Sequence, residues 1–103
     1  MIILRDKNFS LDNNAKGSLT IQDVFYITGQ GTTVTGLVGS GIFKVGDKVE
    51  ISDNNGYKKT ISIKRLQVFR NLKDQVGAGE NVGIVLGDIP KGELKRGMLV
   101  KSI

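Results

Sequence analysis

Apolar and polar residues alternate with a period of two along most of the chain. Leu19, Ile21, Phe25 and Ile27 fall broadly in phase with Val24 between them, and Val34 and Leu37-Val38 follow. Val49 and Ile51 alternate with Lys48, Glu50 and Ser52. Val82, Ile84 and Leu86 alternate with Val85 on the opposite parity. Met98, Val100 and Ser102 alternate with Leu99 and Lys101. Successive side chains of a strand point to opposite faces, so each run predicts a strand with one face buried. Ile61 and Ile63 share one parity and Leu66 and Val68 the other, with the change at Lys64-Arg65. A strand that keeps one face buried absorbs such a slip with a bulge or a bend.

The breaks between these runs are chemically plain. Gly29-Gln30-Gly31 and Gly39-Ser40-Gly41 separate the first strands, and Val45-Gly46-Asp47 reads as a tight turn. Asp53-Asn54-Asn55-Gly56 is a hairpin signal, because Asn and Gly tolerate positive φ. Gly77-Ala78-Gly79-Glu80-Asn81 precedes another strand, and the stretch from Gly92 to Gly97 has room for one helical turn. Fourteen glycines and one proline argue against long helices, since each interior glycine costs a helix about 1 kcal/mol. Short strands at this spacing predict an all-β fold, a small closed barrel of six to seven strands whose closure removes sheet edges. The polar, irregular segment 1–18 is a lead, with Ile2-Ile3-Leu4 a candidate edge strand, and 19–103 is the barrel.

Composition narrows the chemistry. The 103 residues suit one domain. Cysteine and histidine are both absent, which removes disulfides, thiolate ligands, and the commonest general base and metal ligand. No carboxylate dyad or activated lysine stands out, so the chain is not expected to be an enzyme, and no cofactor or metal is expected. Asp53-Asn54-Asn55-Gly56 lacks the twelfth-position carboxylate of a calcium loop. No run approaches the ~18 apolar residues that cross a bilayer, and Arg5-Asp6-Lys7 ends the opening apolar run. A soluble, cytoplasmic protein without membrane contact is therefore expected. The net charge of +5 suits either an anionic partner such as RNA or ordinary solubility. Lys58, Lys59, Lys64, Arg65, Arg70 and Lys73 form a basic stretch, but alternation is expected to spread Lys64 and Arg65 over two faces.

Three blocks carry a family likeness. The first runs from Asp23-Val24-Phe25-Tyr26-Ile27-Thr28-Gly29-Gln30-Gly31-Thr32 through Gly41-Ile42-Phe43-Lys44-Val45-Gly46-Asp47 to Ile51. The second joins Val68-Phe69-Arg70-Asn71-Leu72-Lys73-Asp74 to Ala78-Gly79-Glu80-Asn81-Val82-Gly83, and the third is Leu94-Lys95-Arg96-Gly97-Met98-Leu99-Val100. In order and spacing they resemble domain 2 of elongation factor Tu and related translational GTPases, here as a stand-alone domain. The resemblance implies a Greek-key barrel that binds without catalysing and contacts tRNA, another RNA or a translation-related protein. A protein-interaction module without nucleic-acid binding is the alternative.

In those factors GTP is held by a separate domain. This chain has no Gly-x-x-x-x-Gly-Lys-Ser/Thr loop, so GTP binding is not expected of it. In elongation factor Tu, domain 2 helps to hold the aminoacylated 3′ end of tRNA. Carried over by motif, that site would comprise Gln22, Asp23, Phe25, Ile27, Gly29, Gln30, Thr33, Gln67, Asn81 and Val85. Gln22 and Gln67 stand where the family has acidic residues, Gln30 where it has arginine and Thr33 where it has valine. At the glutamines the hydrogen-bonding capacity stays while the charge goes. On burial tendencies alone, Phe25, Ile27 and Val85 are expected to pack in the core or barrel rim, and Asn81 to cap backbone or meet a ligand.

Overall fold

A computed structural model describes residues 16–103. The candidate edge strand at Ile2-Ile3-Leu4 lies outside the described residues. Among the described residues eleven strands appear in order: β1 Ser18–Thr20, β2 Asp23–Ile27, β3 Gly31–Ser40, β4 Ile42–Lys44, β5 Lys48–Ser52, β6 Lys58–Ser62, β7 Arg65–Val68, β8 Asn71–Lys73, β9 Gln75–Gly77, β10 Asn81–Gly87 and β11 Leu99–Ser102. One 3₁₀ turn, Lys91–Glu93, stands between β10 and β11. It begins just before the stretch expected to turn. Among the described residues no helix is long and apolar enough to cross a membrane.

Two bent strands make the barrel. β6 pairs antiparallel with β5, from Lys48 opposite Ser62 to Ser52 opposite Lys58. The same run of chain then changes neighbour. Ile63 N–H donates to Asp47 O at 2.9 Å, and one residue later Lys64 N–H donates to Val85 O at 2.8 Å. β7 continues along β10, with Leu66 opposite Ile84. This corner is the parity change at Lys64-Arg65. It lets Ile63 and Leu66 both point inward, at 2% and 0% exposure. The second bend separates β1 from β2. Ile21 N–H bonds Met98 O and Gln22 N–H bonds Thr35 O. Past this point the inward parity moves to Val24, which packs against the core, while Phe25 is 48% exposed. The expected common phase of Leu19, Ile21, Phe25 and Ile27 is thus corrected by a bend that the alternation did not reveal.

The ladders run β5 to bent β6–β7, then β10, β3, β1 and β11, and β11 returns to β5. Six strands form the ring. β5, β6–β7 and β10 are a meander, and β11 crosses back beside β5, the Greek-key order. β8 adds to the outside of β7, and β4 pairs separately with β9. Leu19, Val34, Phe43, Ile51, Leu66, Ile84 and Val100 fill the interior, none exposed by more than 1%.

The turns follow their chemistry. Between β5 and β6, one Asp53 carboxylate oxygen accepts from the N–H groups of Asn55 and Tyr57. Asp47 caps the β4–β5 turn by accepting from Lys44 N–H at 2.9 Å. Gly36 answers to packing. Its inward side faces β1, and a methyl there would sit 2.5 Å from Thr20 O and 2.9 Å from Leu19 Cδ2.

Candidate functional site

Strand register decides which residues share a face. β2 pairs with β3, β3 with β10, and β10 with β7. Because Val24, Val34, Ile84 and Leu66 point inward, their neighbours point outward. One outward row runs Phe25, Thr33, Val85, Arg65 across the four strands. The next runs Asp23, Thr35, Gly83, Gln67, and on β8 Leu72. Leu37 and Asn81 form a third. Six candidates from three distant stretches of sequence therefore lie on one outer surface: Asp23, Phe25, Thr33, Gln67, Asn81 and Val85. Ile27 extends it at the far end of β2, opposite Gly31.

Val85 and Thr33 are 1% and 2% exposed yet belong to this outer face, and Val85 stands apart from the core cluster. The expectation of core or rim packing is thus only half met. Val85 is buried, but on the outer face rather than in the core cluster, and Phe25 stands half exposed on that same face. Gly83 leaves a dip between them, 3.7 Å from the Thr33 methyl measured from where its own Cβ would be.

Two depressions open on this surface. A shallow one of about 230 Å³ is lined by Gln22, Thr35, Gly36, Gln67, Phe69 and Asn81 among others. Asn81 lines it without a side-chain hydrogen bond to another described residue. The second, about 710 Å³, lies at the end of the barrel among Tyr26, Gly29, Gln30, Lys64, Arg65, Val85 and Lys91. Gln30 joins the two. Its Oε1 accepts from Gln67 Nε2 at 3.3 Å and from Arg65 Nη1 at 3.4 Å. The candidates thus divide, with Gln22, Gln67 and Asn81 at the first depression and Gly29, Gln30 and Val85 at the second. Asp23, Phe25, Ile27 and Thr33 lie on the strands around them.

Several residues at the site were not among the carried-over positions. Arg96 crosses from the segment before β11 to β2, where its Nη2 lies 3.3 Å from Asp23 Oδ1 and its Nε donates to Gln22 O at 2.9 Å. Asp23 therefore holds an arginine across the chain. Phe69 and Arg70 form the two-residue loop of the β7–β8 hairpin, with φ of 49° and 72°. Such a loop requires positive φ at both central residues and normally recruits Asn or Gly. Phe69 is 86% exposed beside the shallow depression. Both residues stand in the second sequence block, but only the hairpin register shows what they flank. Lys91 left no signal, since contact with residues far away in sequence brings it to the site.

The basic stretch is corrected too. Lys58 and Lys59 lie on β6 and pair with Glu50 and Glu93, at 3.8 and 3.7 Å. Lys64 and Arg65 line one and the same groove. The bend at Ile63-Lys64 breaks the alternation that would have separated them. The glycine runs at 29–31 and 77–79 sit at turns between strands, with Gly31 opening β3 and Gly77 closing β9.

Residues 31–100 match the family described as elongation factor Tu domain 2. The chain belongs to this family. The match spans about two thirds of the chain and includes β3 through the start of β11. It covers three of the four strands of the outer surface, all but β2. The barrel of an elongation factor Tu domain 2 is the fold observed.

Proposed function

We propose that this domain is a non-catalytic binding module whose outer surface, over β2, β3, β10 and β7, receives the end of an RNA, the aminoacylated 3′ end of tRNA being the leading candidate. One observation carries the reading. Residues carried over from three separate stretches of sequence, 23–33, 67 and 81–85, fall in adjacent cross-strand rows around a recessed floor of Thr33, Gly83 and Val85. A flat base needs an apolar, low floor and amide edges at its rim. Phe25 supplies an aromatic wall, and Gln67 and Asn81 supply amides. With glutamine at 22 and 67, recognition rests on neutral hydrogen bonds, and the charge needed for affinity comes from arginines at the margin.

Charged and uncharged tRNA titrated across a salt series test this reading. Binding at low salt that weakens in Gln67→Ala and Asn81→Ala is expected. No binding at low salt by the native chain removes the proposal. A second reading, a protein-docking barrel, is favoured by Phe69 at 86% and Leu72 at 64% exposure on neighbouring positions of one hairpin. Recovery of a partner after nuclease treatment, abolished in Phe69→Ser, would support it.

A further inference from the structure

The groove at the barrel end collects cations. Lys64 and Arg65 enter from the corner of the bent strand, and Lys91 from the 3₁₀ turn, with Asp88 the one carboxylate in the lining among the described residues. Among the described residues none of these three cations has an ion-pair partner, whereas Lys58, Lys59 and Arg96 each have one. Arg65 is oriented by the neutral Gln30 amide, which leaves its charge unspent.

The floor is backbone. A methyl at Gly31 would lie 2.5 Å from Gly87 O, and one at Gly87 would lie 2.5 Å from Lys64 Cε. The two chain segments therefore touch, and the Lys64 stem lies over their meeting point. Tyr26, 63% exposed, stands at the margin. Three convergent cations with an exposed aromatic ring are the chemistry of a polyanion whose units carry flat faces.

We propose that this groove is a phosphate site for single-stranded RNA, holding a backbone phosphate between Lys64, Arg65 and Lys91 with an adjacent base against Tyr26. The inference rests on the outer-surface reading, because the Gln30–Gln67 hydrogen bond makes the groove continuous with that surface. From Asn81 to Gly87 along β10 is roughly 20 Å at about 3.3 Å per residue, so one strand can occupy both. Arginine takes phosphate in a planar fork and lysine as a point charge, a combination that fixes position without reading sequence.

The test uses a short 5′-labelled oligouridylate, followed by fluorescence anisotropy from low to high salt. Lys64→Gln/Arg65→Gln/Lys91→Gln is compared with Lys16→Gln/Lys48→Gln/Lys101→Gln, which removes the same charge from exposed positions elsewhere on the barrel. Thermal unfolding verifies that both variants fold. The groove variant is expected to bind about tenfold more weakly at low salt. Its log affinity against log salt should flatten by about 0.7 for each phosphate that is no longer neutralised, while the control keeps most of both.

Equal weakening in the two variants would mean general charge attraction and overturn the site. Native-like binding by the groove variant also overturns it, and leaves the outer surface standing on its tRNA result. Failure of the native chain to bind oligouridylate at low salt removes the groove, while the tRNA titration judges the outer surface separately.

Discussion

Replacing Gly36 by alanine tests the crossing of β1 over β3 that closes this half of the barrel. The added methyl points inward, 2.5 Å from Thr20 O and 2.9 Å from Leu19 Cδ2. Both neighbours are held. Thr20 pairs with Leu99, and Leu19 is 1% exposed in the core. The backbone at Gly36 is not in the left-handed region, so alanine suffers no conformational penalty there. On backbone entropy alone it would stabilise by about 0.5–1 kcal/mol. Forcing a methyl into a filled core costs about 1–3 kcal/mol, so the net expectation is a destabilisation of about 1 kcal/mol at mid-range and up to about 2.5. For a domain of this size that lowers Tm by roughly 4–8 °C per kcal/mol. Gly39 is the internal control. It lies on the same strand, is exposed, and a methyl there meets only Ser18 O at 3.7 Å. Gly39→Ala should be neutral or stabilising by about 0.5 kcal/mol. Urea titrations with unchanged slope give both differences directly. A Gly36→Ala protein as stable as the native one would refute the close crossing, and with it the bend between β1 and β2.

Three further expectations follow from named side chains. Phe69→Asn/Arg70→Gly relieves two left-handed residues, each costing about 1–2 kcal/mol, so Tm should rise. If the outer surface binds RNA, affinity should fall in the same protein, because an exposed aromatic and a cation are removed beside the depression. Tyr57 is pushed up to about 12, chiefly by burial and then by its 2.8 Å hydrogen bond to Glu93. The folded pKa exceeds the unfolded value near 10, so this contribution is complete below pH ~10 and is lost as pH climbs toward 12. Ultraviolet titration should show a phenol that moves down in Glu93→Gln. Arg96→Ala breaks an exposed pair, 79% and 52% accessible on its two sides, so stability should change by less than about 1 kcal/mol. RNA affinity should nevertheless drop, since the Asp23 carboxylate is left unneutralised, and an unchanged salt dependence of binding would count against that role.

The period-two pattern sufficed to determine that this chain is a barrel of short strands. Burial of alternate side chains is a local property, and inward residues at 34, 49, 51, 82, 84, 86, 98 and 100 were legible from parity alone. The hairpin at Asp53–Gly56 was legible too, because a side-chain acceptor and a glycine specify a turn without help from afar. Parity also showed that something happens at Lys64-Arg65, though not that it is the barrel corner. Tertiary structure decided what local chemistry does not encode. The bend at Ile21-Gln22 turns Phe25 outward because two different neighbours, Met98 and Thr35, claim successive N–H groups. Burial of Val85 and Thr33 depends on what covers the outer face, which no run of one strand contains. The meeting of Lys64, Arg65 and Lys91 in one groove depends on register across β7 and β10 and on the path of the chain after β10. Such long-range pairing positions residues by geometry summed over several strands, and a single sequence records only the local part of it.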